Sequence, residues 1–219
     1  MGFRGGKREC RLPPAGGASR GYRCRVYPAR RPVRSSRSLL VNRRQFCQRL
    51  ALAAAACCLT GGRHHVAALP TVPCVDLARY AGTWHEIARL PNCFQGACGA
   101  AQARYEPRPD GTLTVVNTCV SRRGRCREVV GRAEPVPCSG NARLRVRFGG
   151  LAALVPVPRE GNYWIIALDD DYRFAMVGTP DRRFLWILAR DTCLPPDVFA
   201  GLVAQARCLG FDVDRLVVR

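Results

Sequence analysis

From Trp84 onward the chain breaks into short runs of alternating apolar and polar residues, each closed by turn-forming residues. That pattern restricts the fold more than any other feature. The runs are Trp84–Leu90, Ala101–Tyr105, Leu113–Cys119, Cys126–Ala133, Ala142–Phe148, Tyr163–Leu168, Tyr172–Val177 and Phe184–Arg190. An apolar residue at every second position buries one face of a strand and leaves the other in water. Asp110-Gly111 stands between the second and third runs, and such a pair supplies the positive φ angles of a tight hairpin. In the fifth run Leu144, Val146 and Phe148 alternate with Arg143, Arg145 and Arg147. Eight strands at roughly ten-residue spacing predict an all-β sandwich or barrel.

After the eighth run the period changes. Val198, Leu202, Ala206 and Leu209 recur at helical spacing within Asp197–Leu209, with Pro195-Pro196 before it and Gly210 behind it. Asp191 or Thr192 is expected to cap this helix. The architecture read from pattern alone is all-β with one C-terminal helix, its apolar stripe laid against the strands.

The formal net charge of +19 suggests a nucleic-acid partner until its distribution is inspected. Up to residue 70, fifteen Lys and Arg face the single acid Glu9, whereas residues 71–219 carry twenty basic and fifteen acidic groups. A phosphate-binding role would rest on Arg143, Arg145 and Arg147 with Arg122, Arg123 and Arg125. The first three alternate along one strand, which predicts a solvated outer face, so no nucleic acid is expected as a partner. The longest apolar stretch, Leu50 to Thr60, is about half the ~18–20 residues of a membrane-spanning helix.

Eight of the thirteen cysteines lie beyond residue 70: Cys74, Cys93, Cys98, Cys119, Cys126, Cys138, Cys193 and Cys208. They form no CxxC pair, and the only histidines are His64, His65 and His85, so neither a metal site nor a cofactor is expected. Such cysteine usage points to an oxidising compartment with several disulfides.

Residues 1–68 are read as a targeting leader and 69–219 as the folded domain. The first forty residues are rich in Arg, Gly, Pro and Ser and lack hydrophobic periodicity, a composition unable to bury a core. Arg43-Arg44, Phe46 and the apolar stretch Leu50–Leu59 resemble a twin-arginine export signal, and Val66-Ala67-Ala68 offers the small residues of a cleavage site. An Arg-rich leader before such a signal fits a chloroplast thylakoid-lumen address. The alternative is bacterial export to the periplasm, or an outer-membrane lipoprotein acylated on Cys57.

Three blocks carry a family resemblance. Asp76–Pro91, with Gly82-Thr83-Trp84 at its centre, resembles the opening block of lipocalins in the bacterial lipocalin and apolipoprotein D branch. Asp169–Tyr172 with Ala175-Met176-Val177 resembles the second block, and Phe184–Arg190 followed by Leu194-Pro195-Pro196-Asp197 the third. The resemblance covers about residues 74–217 and implies an eight-stranded antiparallel up-and-down β-barrel holding a small apolar ligand. It also implies that Gly82, Trp84 and Arg190 form the structural signature of the closed end, Arg190 packing over the Trp84 ring. If Arg190 points inward, strand alternation sends Leu188 and Trp186 inward too. The resemblance adds Tyr105 and Asn117, so the expected ligand-binding residues are Tyr105, Asn117, Trp186 and Leu188.

His85 departs from the family's usual tyrosine and is read as an outward polar residue. Cys98–Cys119 and Cys119–Cys126 are equally consistent with the spacing as bridges. No paired carboxylates or triad converge, so no catalytic residues are expected. The expectation is a non-catalytic protein that binds, carries or scavenges a fatty acid, lysolipid, sterol or oxidised membrane lipid, protecting membranes under oxidative stress. Peripheral membrane association goes with it. The rival readings are a lipocalin-fold enzyme with a reactive pocket thiol at Cys119, and a protein-interaction module using the basic outer face.

Overall fold

The Asp110-Gly111 turn shows how local chemistry sets the register. Gly111 adopts φ +76°, the Asp110 carboxylate accepts from the Thr112 amide at 3.1 Å, and the flanking strands pair from Pro107↔Leu113 outward. The structure is a computed structural model that describes residues 68–219 except 93, 94, 96, 97, 122 and 151–155. All of the proposed leader 1–68 but its last residue, including Arg43-Arg44 and Cys57, lies outside the described residues.

The strands are β1 (Gly82–Arg89), β2 (Cys98–Pro107), β3 (Leu113–Ser121), β4 (Cys126–Pro135), β5 (Arg143–Phe148), β6 (Tyr163–Leu168), β7 (Phe174–Gly178) and β8 (Leu185–Ala189). Each pairs antiparallel with the next, β8 pairs with β1, and β1 also pairs with β2, so the sheet closes. This is the eight-stranded up-and-down barrel. The short helix α1 (Leu77–Tyr80) precedes β1, and α2 (Pro196–Cys208) follows β8. A 3-10 helix (Val213–Arg215) then leads to β9 (Val217–Val218), which pairs with β1 beside Ala88 and Arg89. Neither α1 nor β9 was foreseen; four and two residues are too few for a periodicity to register.

The helix expectation needs one correction. Neither Asp191 nor Thr192 caps α2; its N-cap is Pro195, with no side-chain hydrogen bond, and the helix begins at Pro196. A proline's fixed φ suits the helix start and its missing N–H would have no partner there. Val198, Leu202 and Ala206 are buried as one stripe, and Gly210 leaves the helix at φ +87°.

Two apolar clusters result. The inner one fills the barrel with Trp84, Tyr105, Leu113, Val115, Leu144, Ile165 and Leu188 among others. The outer one packs α2 on the β7–β8–β1 wall through Leu185, Ile187, Ala189, Leu202 and Phe211. Alternation along β8 divides them, Leu185, Ile187 and Ala189 facing the helix while Trp186 and Leu188 face inward.

Candidate functional site

The closed end is built on Trp84, which is fully buried and donates its indole N–H to the Tyr80 carbonyl at 2.8 Å. Arg190 lies 3.9 Å over the Trp84 ring centroid. Its guanidinium donates to the carbonyls of Thr83, Arg79 and Ala81 at 2.8 Å each, to Tyr80 at 3.2 Å and to Tyr172 at 3.3 Å. Burial holds its pKa below the ordinary value, with Tyr80 acting the other way. Gly82 is required beside it. Its φ is +92°, and a Cβ there would stand 3.3 Å from Arg190 Nη1.

Above this floor three phenols meet. Tyr163 Oη accepts from Tyr105 at 2.8 Å and is hydrogen-bonded to Tyr80 Oη at 2.7 Å. Burial raises all three pKa values, most firmly for Tyr80 and Tyr163, each also facing a phenol neighbour. Tyr105 therefore belongs to the packed floor, hydrogen-bonded and 3% exposed. Tyr80 and Tyr163 were not anticipated as its partners, because they come from α1 and β6 and only closure of the barrel joins them.

Higher up, exposure along the inner face increases. Leu113, Val115, Asn117 and Cys119 share the inner face of β3, and Ala133, Gly131 and Val129 stand opposite on β4. Leu113 and Val115 are 1% exposed, whereas Val129, paired with Asn117, is 45% exposed. Asn117 Oδ1 is buried and has no hydrogen-bond partner among the described residues. Gly131 makes room for the Phe148 ring, whose Cδ1 would lie 2.7 Å from a Cβ at that position.

Across the barrel a polar network fills the mouth side. Glu86 follows Trp84 by two residues and so points inward. An irregularity between Glu86 and Ala88 then brings Arg89 onto the same face, opposite Trp186. Arg89 Nε is 3.3 Å from Glu86 Oε1, outside hydrogen-bond geometry, and has no other acceptor among the described residues. Its Nη1 and Nη2 donate to the Leu90 and Gln95 carbonyls at 3.2 and 3.0 Å. Arg219, following β9, donates to Glu86 Oε1 at 2.9 Å from Nε and 2.7 Å from Nη2, and to the Cys98 carbonyl from Nη1. Gln95 donates to Glu86 Oε2 at 2.8 Å and accepts from the Trp186 indole at 3.1 Å. Glu86 and Arg89 are 6% and 4% exposed. Burial depresses the Arg89 pKa; Glu86 opposes this and Arg219 adds to it.

Of the four expected ligand-binding residues, Trp186 and Leu188 face the interior beside this network, Asn117 lies on the opposite strands, and Tyr105 lies below. Glu86, Arg89 and Arg219 were missed. Glu86 was findable from its parity with Trp84, but Arg89 was not, since strict alternation without the irregularity sends it outward.

The thiol reading of Cys119 is overturned, because Cys119 is bonded to Cys98 across the β2–β3 hairpin. The same bond excludes the Cys119–Cys126 pairing. On the outer wall, Arg132, Arg145 and Arg147 surround Glu134 at 3.4–3.7 Å, while Arg143 lies 4.1 Å over the Trp164 ring. Among the described residues no cluster of three His, Cys, Asp or Glu could hold a metal, and no helix is long and apolar enough to cross a membrane.

Comparison with known proteins agrees with this geometry. Residues 75–219 match the family model of the lipocalin-like domain. Temperature-induced lipocalin-1 of Arabidopsis thaliana is 36% identical over 145 residues, 65% of this chain and 77% of that protein. Outer membrane lipoprotein Blc of Escherichia coli K12 is 38% identical over 143 residues, with the same coverage of 65% and 77%. Mouse apolipoprotein D is 30% identical over 167 residues, 71% of this chain and 84% of the relative. Among solved structures, apocrustacyanin C2 superposes with a TM-score of 0.52 at 17% identity, covering 65% of this chain and 78% of that one.

Proposed function

This chain belongs to the lipocalin family, and on that premise we propose that its barrel binds a small hydrophobic ligand through its open half without catalysing a reaction. One observation carries the reading. Along a single inner face, burial falls from fully packed at Leu113 and Ala133 to 45% exposure at Val129. A solid core stays dry along its whole length, whereas a cup is packed at one end and open at the other. Apolar side chains with a few inward polar groups are the composition of a small-molecule site.

The ligand class is a fatty acid, lysolipid, sterol or oxidised membrane lipid, and the role is carriage or scavenging that protects membranes under oxidative stress. Export to an oxidising compartment fits the Cys98–Cys119 bond. The thylakoid lumen accords with the plant relative and the leader's composition. The bacterial outer-membrane relative supports the periplasmic or lipoprotein alternative, and either address brings the barrel to a membrane surface.

Titration of a fluorescent long-chain lipid analogue into the full chain tests this. Saturable binding is expected, and Val129→Glu is expected to weaken it about tenfold or more by placing a negative charge in the mouth, with a little-changed melting temperature because Val129 is half exposed. Absence of saturation, or indifference to Val129→Glu, argues against a barrel ligand.

A further inference from the structure

We propose that the mouth-side network of Arg89, Arg219 and Glu86 is a head-group subsite, so that the barrel selects amphiphiles with an anionic head (carboxylate or phosphate) over neutral ones. The inference rests on the ligand-binding reading above and narrows its ligand class.

The argument begins with charge. Two guanidiniums share one carboxylate, and the three side chains together carry one unbalanced positive charge. Glu86 is already committed: Oε1 takes both donors of Arg219 and Oε2 takes Gln95. Arg89 keeps an ion pair with it at 3.3 Å, but its buried Nε has no hydrogen-bond acceptor among the described residues. A buried guanidinium with a donor unfilled is costly unless an anion or another strong acceptor completes it.

Position makes the same case. Trp186 and Leu188 pair with Arg89 and Glu86 on the inner face of the barrel, so the network borders the apolar interior instead of the outer wall. An apolar chain running down toward the tyrosine floor would place its head beside Arg89. The planar fork of a guanidinium matches two oxygens of a carboxylate or phosphate. One proton each of Arg89 Nη1 and Nη2 goes to the carbonyls of Leu90 and Gln95, and Arg219 Nη1 binds those of Cys98 and Gly99, which holds both groups in place before a ligand arrives and leaves protons of Arg89 for the head.

The experiment compares cis-parinaric acid with its methyl ester, both intrinsically fluorescent, titrated into the full chain at mildly alkaline pH. The acid is expected to bind at least about tenfold more tightly. In Arg89→Gln the preference should fall to within about twofold, with affinity for the ester retained. If Arg89→Gln does not fold, Arg219→Gln, at the less buried member of the network, is expected to reduce the preference in the same direction. Equal binding of acid and ester by the wild-type chain overturns the subsite while leaving the barrel ligand intact. Saturable binding of neither removes both. Displacement of the bound acid by oleate and by oleoyl lysophosphatidate then identifies the head: either anion acting at about tenfold lower concentration than methyl oleate supports the subsite, and parity with methyl oleate opposes it.

Discussion

Arg190 spends its donors on five carbonyl oxygens, three of them at 2.8 Å, while its planar face covers Trp84. Four of those carbonyls belong to the end of α1 and the start of β1 and the fifth, Tyr172, to the turn between β6 and β7, so one side chain at the end of the last strand ties the entry of the barrel to it. Arg190→Met keeps the stem but leaves the carbonyls without donors, and a loss of about 2–4 kcal/mol in urea unfolding is expected. Arg190→Lys should recover less than half of it, because an ammonium cannot span the same carbonyls. The tyrosine floor gives a pH expectation. Burial raises the folded-state pKa of Tyr80, Tyr105 and Tyr163 above the unfolded value of about 10. Their contribution to stability is complete below that value and is lost as pH rises toward the folded values, since the unfolded chain releases those protons first. Stability should fall above about pH 10, with tyrosinate absorbance rising together with unfolding. In Tyr105→Phe the slope should be shallower by up to about 1.4 kcal/mol per pH unit, read from unfolding midpoints across the alkaline range.

At the scale of elements, the hairpin of β2 and β3 is doubly secured, by an Asp-Gly turn at one end and a disulfide at the other. The bond closes a loop of 21 residues, for which chain-entropy reasoning gives about 3 kcal/mol. Cys98→Ser with Cys119→Ser is expected to cost about 2–4 kcal/mol in urea unfolding, and the same loss should appear when the wild-type chain is reduced. The hairpin was legible because its turn residues and its alternation agree. The bond was only half legible: Cys119 lies nearly symmetric to Cys98 around one turn and to Cys126 around the next, and spacing alone cannot choose. The α2 cap was misassigned for a related reason. Asp191 and Thr192 have the right side chains, but Pro195 with an extended ψ of 137° already occupies the cap position, leaving them upstream of the helix.

For the molecule as a whole, what could be read in advance was the alternation that assigns each strand two faces, and what could not was where that alternation is broken. Trp186 and Leu188 followed from the parity of Arg190. Arg89 shares the interior with them only because β1 shifts register after Glu86. Tyr80 and Arg219 come from outside the eight strands, and barrel closure brings both to it. The consequence is a barrel packed at the floor and polar on one side of the mouth, with one acceptor between the two, Asn117 Oδ1, left without a partner among the described residues. Such a group costs the empty barrel about 1–3 kcal/mol, and under the proposed function a donor on the ligand would fill it. Asn117→Leu should therefore stabilise the ligand-free protein by about 1 kcal/mol in urea unfolding while impairing recognition, the usual conflict between stability and a site. The donor that suits a position midway down the cup is a mid-chain hydroxyl, the group that oxidation leaves on an unsaturated fatty acid. The wild-type chain should prefer a hydroxylated C18 acid to oleate by roughly two- to tenfold, the worth of one net hydrogen bond. Competition between the two acids for a fluorescent probe measures that ratio. In Asn117→Leu it should fall to one or below, and a ratio that survives the substitution would separate Asn117 from ligand choice.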